Sequence, residues 1–412
     1  MAGQQRRRAV LRMAVVGALG ATALSACGRA PADEDRADIQ RMLDRRAAAV
    51  RERDASAFLA TVDRGAVRYR SGQRRVFENL ADVPLSSWTY RLAGTGGFTP
   101  AAGTGRRIAA RVELRYRLAG YDSAPVTSEQ FLTLVRREGR WYVAAERGKR
   151  APQQLWDQGG VEVVRGRHSL VLGVGQDRAR LREIAATADR AVPAVGGVWR
   201  EKWAHRVVVQ VPASVERLAG LLGTSANAYR GIAAVTTAEL VRDGSAPADR
   251  VIVNPDAYAV LGAFGRQAVM THETAHVATR ASTTRATPLW LSEGFADWVG
   301  YRGADRPPQA LAPELTVAVR QGRPPRDLPD TDAFRFGTDG PALARAYEEG
   351  WLACRMIAER WGERKLAEFY REVGAGGGGE RRSVDAALVK VLGVRRAEFM
   401  AGWRSYVTRT LG

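Results

Sequence analysis

The sequence predicts an α+β protein built from two units, and three observations carry that prediction. A helical pattern over 35–54 gives way to strand patterns at 108–118, 127–136 and 140–145. A stretch rich in Gly, Arg, Gln and Pro at 147–167 then breaks the rhythm and marks the boundary. Beyond it, strand and helix patterns alternate to about 254, after which the chain is mainly helical. A chain of 412 residues is long enough for two such units, each with its own core.

The first residues belong to neither unit. Arg6, Arg7, Arg8 and Arg12 form a basic start, and 13–23 are apolar or small. That run is too short to span a bilayer, which needs about 20 residues, but it suits the apolar region of a signal peptide. Leu24-Ser25-Ala26-Cys27 resembles the bacterial lipobox. The resemblance implies removal of 1–26, lipidation of Cys27 and anchorage to the outer face of the cell membrane. Arg7-Arg8-Ala9-Val10-Leu11-Arg12 also resembles a twin-arginine export signal. Residues 27–34 read as a polar tether. Cys354 is the only other cysteine, so a lipidated Cys27 leaves no intrachain disulfide. Its apolar helical surroundings read as inert core.

The first unit, 35–150, opens on a helix with Ile39, Met42, Leu43, Ala47 and Val50 on one face. The apolar theme resumes at 55–62 after a break at Asp54. Ile108, Ala110, Val112, Leu114, Tyr116 and Leu118 alternate with Arg111, Glu113, Arg115 and Arg117, the signature of a half-buried strand. The strands at 127–136 and 140–145 flank a tight Glu138-Gly139 turn. Asp54-Ala55-Ser56-Ala57-Phe58-Leu59 and Gly139-Arg140-Trp141-Tyr142-Val143 resemble the nuclear-transport-factor-2-like (NTF2-like) superfamily over 35–147. The resemblance implies a cone-shaped α+β domain, a curved sheet wrapped on a helix. The segment has no His-Asp pair, so a binding or spacer role is expected of it.

The second unit, 165–412, starts with a strand at 169–174, a helix at 176–199 and a strand at 207–211. A short helix at 215–222 follows Pro212, and strand patterns lie at 232–240 and 251–254. Helices are predicted at 265–280, 289–301, 341–361, 383–391 and 395–408. The glycine-rich run 374–379 lacks the Lys-Ser/Thr of a phosphate loop and reads as a connector. His168 and His205 flank strand starts without metal-ligand spacing and read as surface residues.

The chemistry is concentrated at 271–298. The chain has four histidines, and two of them fall in Thr271-His272-Glu273-Thr274-Ala275-His276. On a helix, His272 and His276 lie one turn apart on one face, where two imidazoles can grip one metal ion with Glu273 beside it as general base. Glu293 begins the next helical pattern and can supply a third ligand. Asp297, one turn on, has the offset of a carboxylate that orients a ligand histidine. The competing readings are a helix whose histidines pair by chance, and an envelope binding protein built on a degenerate metal site.

His272-Glu273-Thr274-Ala275-His276, separated by sixteen residues from the glutamate of Trp290-Leu291-Ser292-Glu293-Gly294-Phe295-Ala296, resembles the gluzincin metallopeptidases. The resemblance covers about 165–410 and is strongest at 265–301. It implies a gluzincin fold, with a mixed sheet lobe over a mainly helical lobe, and one zinc ion held by His272, His276 and Glu293. It also implies peptide or protein substrates. Tyr347-Glu348-Glu349-Gly350 resembles the segment whose tyrosine stabilises the oxyanion, and a core aromatic beside Trp351 is the alternative for Tyr347. Val251-Ile252-Val253-Asn254 falls where the family's substrate-pairing edge strand lies. The aminopeptidase signature Gly-x-Met-Glu-Asn does not occur, which favours an endopeptidase.

Composition narrows the partners further. Lys and Arg total 63 against 44 Asp and Glu, a net charge of +19, and only Lys149, Lys202, Lys365 and Lys390 are lysines. The arginine and alanine excess reads first as the codon bias of a high-GC genome, and attraction to an anionic envelope surface is the functional alternative. Export and the lack of an aromatic-basic binding motif exclude nucleic acid as the expected partner.

Overall fold

In the computed structural model, the first helix buries the residues its periodicity singles out. The structure describes residues 33–147, 152–237, 248–334 and 340–412, so the arginine-rich start and Cys27 lie outside the described residues. Helix α1 (Asp33–Arg51) carries Asp33, Glu34 and Asp35 in its first turn and Arg51 in its last, charges that suit the helix dipole. Its buried face includes Ile39, Met42, Leu43, Ala47 and Val50. At α2 (Ala55–Ala60) the Asp54 carboxylate accepts from the Ala57 N–H at 2.9 Å, which explains the break before it. Helix α3 (Val67–Asn79) was not legible in the sequence. Its charged surface hides Tyr69, Val76 and Phe77, which are only partly buried.

Strands β1 (Leu85–Thr95), β2 (Arg106–Leu118), β3 (Val126–Arg137) and β4 (Arg140–Glu146) form an antiparallel sheet in that order. The alternation in β2 turns Ile108, Ala110, Val112, Leu114, Tyr116 and Leu118 into the core. Glu138 and Gly139 both take positive φ, 50° and 77°, as a two-residue hairpin with right-handed strand twist requires.

The predicted boundary stretch holds structure of its own. Helix α4 (Leu155–Gln158) sends Trp156 into the first sheet, 5.4 Å from the Trp88 ring and 5.0 Å from the Tyr116 ring. Strand β5 (Glu162–Arg165) then pairs with β6 (Ser169–Gly173). One apolar cluster consequently runs from Leu43 through Trp88, Tyr116 and Trp156 to Leu170, Val208 and Ile252. The β2–β3 turn reinforces this joint. Asp122 accepts both ends of the buried Arg250 guanidinium at 2.7 Å, and the Tyr121 hydroxyl donates to the Ser169 carbonyl at 2.9 Å.

From β6, α5 (Arg178–Val198) crosses to β7 (Val207–Val211), and α6 (Val215–Leu222) follows. The short β8 (Ala234–Thr236) and β9 (Val251–Val253) complete a five-stranded sheet of order β5-β6-β7-β9-β8. Here one expectation is corrected. Val251–Val253 is not the edge: β9 lies between β7, to which it is parallel, and β8, to which it is antiparallel. Among the described residues, the three-residue β8 is the outer strand on that side of the sheet. Strand order depends on long-range pairing, which the local pattern at 251–254 does not encode.

The helical half follows: α7 (Pro255–Ala259), α8 (Ala263–Thr279), α9 (Leu289–Tyr301), α10 (Pro308–Leu311), α11 (Pro313–Arg320), α12 (Gly340–Trp361), α13 (Glu363–Gly374), α14 (Glu380–Ala387) and α15 (Arg396–Leu411). Buried side chains of α8, α9, α12, α13 and α15 form one core, Cys354 among them. Burial pushes the Cys354 thiol well above its ordinary value, in keeping with an inert residue.

Helix α9 is gripped by backbone contact. A Cβ on Gly294 would lie 2.2 Å from the Gly350 carbonyl oxygen of α12, and one on Gly350 would lie 2.6 Å from that of Trp290. Gly294→Ala should therefore destabilise the protein by about 1–3 kcal/mol, the cost of overpacking, because backbone rather than a side-chain tip must move. Urea unfolding measures this, and an unchanged midpoint would show that the two helices are free to separate.

Candidate metal centre

Helix α8 is buried on most of its surface, so its polar side chains need partners. Thr271 and Thr274 donate to the carbonyls of Gln267 and Met270, at 2.8 and 2.7 Å. His272, Glu273 and His276 turn toward α9 and β8. Their spacing brings the His272 and His276 Nε2 atoms to 3.0 Å, with the rings nearly perpendicular at 76°.

From α9, Glu293 Oε2 stands 3.3 Å from His272 Nε2 and 3.4 Å from His276 Nε2. One turn later, Asp297 Oδ1 lies 2.8 Å from His272 Nδ1. A carboxylate there holds the ring proton on Nδ1 and leaves the Nε2 lone pair facing the cluster. Among the described residues, His272, His276 and Glu293 form the set of ligand side chains that could hold a metal ion.

The donor set fits zinc. Tetrahedral zinc with ligand bonds of about 2.0–2.1 Å places its ligand atoms about 3.3 Å apart, and the three separations here are 3.0, 3.3 and 3.4 Å. Electrostatics point the same way. Burial works to lower the His272 pKa, but Asp297, Glu293 and Glu273 outweigh it and raise it well above the ordinary histidine value. Burial would likewise raise Glu293, yet the two imidazoles hold it well below the carboxylate range. The pocket thus favours positive charge at its centre.

Glu273 is 4% exposed and borders a cavity of about 580 Å³. His272, Glu293, Asp297 and Tyr347 line the same cavity, with Leu261, Phe264, Leu311, Leu343 and Trp351 as apolar wall and Ile232–Ala234 along one side. Tyr347 packs edge-on against Phe334 at 5.2 Å, while Trp351 packs against Tyr301 instead. Glu348 also borders the cavity and accepts the Leu315 N–H at 2.6 Å; burial pushes its carboxyl up to about 7.

Two residues of the site, Thr236 and Tyr370, had no signal in the sequence. The Thr236 hydroxyl donates to Glu273 Oε2 at 2.6 Å. The Tyr370 hydroxyl of α13 lies 2.7 Å from Thr283 Oγ1 and 3.4 Å from Ser292 Oγ, bracing the loop between α8 and α9. His168 and His205 stand apart from the centre. The His168 backbone N–H donates to Asp189, and the His205 ring packs tilted against Trp203, 4.6 Å between centroids.

Loss of a carboxylate that orients a metal-bound histidine lowers metal affinity by about 10–100-fold. Asp297→Asn should weaken zinc binding by that factor in a competitive chelator titration while leaving the fold intact. An unchanged affinity would reduce Asp297 to a structural partner of His272.

No family model matches the sequence, and no curated protein sequence does. Among solved structures, the chain is similar to a mutant M1 zinc metallopeptidase from Deinococcus radiodurans bound to a Tyr-Ser-Ala substrate. Identity is 16%, the match covers 79% of this chain and 71% of that chain, and the TM-score is 0.36. A mutant two-domain M1 zinc metallopeptidase bound to L-arginine is similar at 16% identity, over 78% of this chain and 69% of that chain, with a TM-score of 0.35.

Proposed function

We propose that this protein is a zinc-dependent peptide-bond hydrolase, an endopeptidase tethered to the outer face of the bacterial membrane by lipid on Cys27. One observation carries the proposal. Two imidazoles and a carboxylate converge at 3.0–3.4 Å while a further carboxylate, Glu273, stands beside them at the wall of a cleft. His272, His276 and Glu293 would hold the ion. When bound, zinc supplies a Lewis acid and lowers the pKa of a water toward neutrality.

The protein's own residues supply the rest. Glu273 takes the proton of the attacking water and delivers it to the leaving amine, the work of a general base turned acid. Asp297 keeps the His272 proton on Nδ1, which fixes the ring's orientation. The Tyr347 hydroxyl acts as hydrogen-bond donor to the oxyanion of the tetrahedral intermediate. The outer side of β8 offers backbone groups to an extended peptide, since among the described residues its strand partner is β9 alone. The apolar cleft wall favours apolar side chains near the scissile bond.

The lipobox at Cys27 supports the membrane anchor. Among the described residues, no helix is long and apolar enough to cross a membrane. Peptides or proteins of the envelope are the proposed substrates, with nucleic acid no part of the role.

The test pairs metal analysis with digestion of a peptide library. Wild-type protein should bind zinc stoichiometrically and cleave peptides in a chelator-sensitive way. Glu273→Gln should keep the zinc and lower kcat by about 10²–10⁴-fold, the usual contribution of general acid–base catalysis. Cleavage unaffected by that substitution rejects the mechanism.

A further inference from the structure

Thr236 is the last residue of β8 and is fully buried. Its partner across the ladder is Val251 of β9. Its hydroxyl lies 2.6 Å from Glu273 Oε2 and 3.3 Å from the Glu273 carbonyl oxygen. A hydroxyl has one proton to donate, and the shorter contact takes it. A hydrogen bond to a carboxylate is charge-assisted, about twice as strong as one between neutral groups. It fixes the carboxylate's rotation and leaves Oε1 without this donor and so open as the proton acceptor.

The residues just before Thr236 matter too. Ile232, Ala233 and Ala234 line the cleft, so the segment that runs along the cleft into β8 also holds the base. Thr236 and Glu273 come from different elements and are 37 residues apart, so the contact exists only in the folded protein.

We infer that Thr236 is a positioning residue for Glu273: its hydroxyl clamps one carboxylate oxygen so that the other stands ready for proton transfer. The inference rests on the hydrolase reading above and adds to it a residue that touches neither metal nor substrate. Thr236 acts on the reaction through its 2.6 Å bond to Glu273, so removing its hydroxyl affects proton transfer more than substrate binding or metal binding.

The experiment compares wild-type, Thr236→Val and Thr236→Ser proteins, full chain and zinc-loaded. Valine keeps the shape and removes the donor; serine restores the donor. Thr236→Val should keep stoichiometric zinc and a KM within about twofold, while kcat falls about 10–100-fold, as misplacement of a reacting group predicts. Thr236→Ser should recover kcat to within about threefold of wild type. Independently of turnover, the ¹³C carboxyl resonance of Glu273, assigned by its loss in Glu273→Gln, should move in Thr236→Val and return in Thr236→Ser.

Equal kcat in all three proteins overturns the inference while leaving the hydrolase reading intact. So does a serine variant as impaired as the valine variant, or a Glu273 resonance that the valine substitution does not move. A zinc-loaded wild-type protein that cleaves no peptide overturns the hydrolase reading, and the role of Thr236 with it.

Discussion

The backbone contact between α9 and its neighbours is the constraint on which the rest of the site depends. Gly294 of α9 touches α12, and a Cβ on Gly300 would lie 2.9 Å from the Ala268 carbonyl oxygen of α8. With no side chain intervening, the helices approach as closely as their backbones permit. That closeness brings the short Glu293 and Asp297 side chains across to the imidazoles of α8. A wider spacing between the helices would leave the 3.3 and 3.4 Å separations unmet.

Such a cluster is expensive to assemble, because Glu273, Glu293 and Asp297 are each at least nine-tenths buried. Buried carboxylates need compensating charge or hydrogen bonds. Each has a named partner: Thr236 for Glu273, the two imidazoles for Glu293, and His272 Nδ1 for Asp297. The apolar cleft wall lowers the local dielectric, which strengthens all of these interactions and the pull on a cation. Structure and reactivity thus share one cause. The groups that would be least stable apart are the ones held together.

The two units are not independent supports for this centre. Arg250 immediately precedes β9 and is clamped bidentately by Asp122 from the β2–β3 turn. Strand β9 pairs with β8, and β8 presents Thr236 to Glu273. Both Arg250 and Asp122 are withdrawn from solvent, with side-chain exposures of 6% and 1%. Breaking one partner of such a pair leaves a buried charge uncompensated. The sheet edge at the cleft is therefore braced from the first unit, and the continuous apolar cluster through Trp156 does the same work over a larger area.

Much was legible in the sequence wherever local geometry decides. The 3.6-residue period puts His272 and His276 on one face and Glu293 and Asp297 on another, and the period of two sorts β2 into core and surface. Element bounds such as Leu289–Tyr301, Val207–Val211 and Val215–Leu222 followed from the same periodicities. Helix α3 and strand β1 were missed. The apolar positions of α3 are only half-buried beneath its arginines, and β1 completes its buried face with Trp88 and Tyr90 only once β2 is beside it. Tertiary structure alone decided that β8 rather than β9 is the outer strand, that Trp156 enters the first core, and that Thr236 meets Glu273. Each is a contact between segments far apart along the chain. Backbone periodicity fixes which way a side chain faces along its own element, but only packing fixes what it faces.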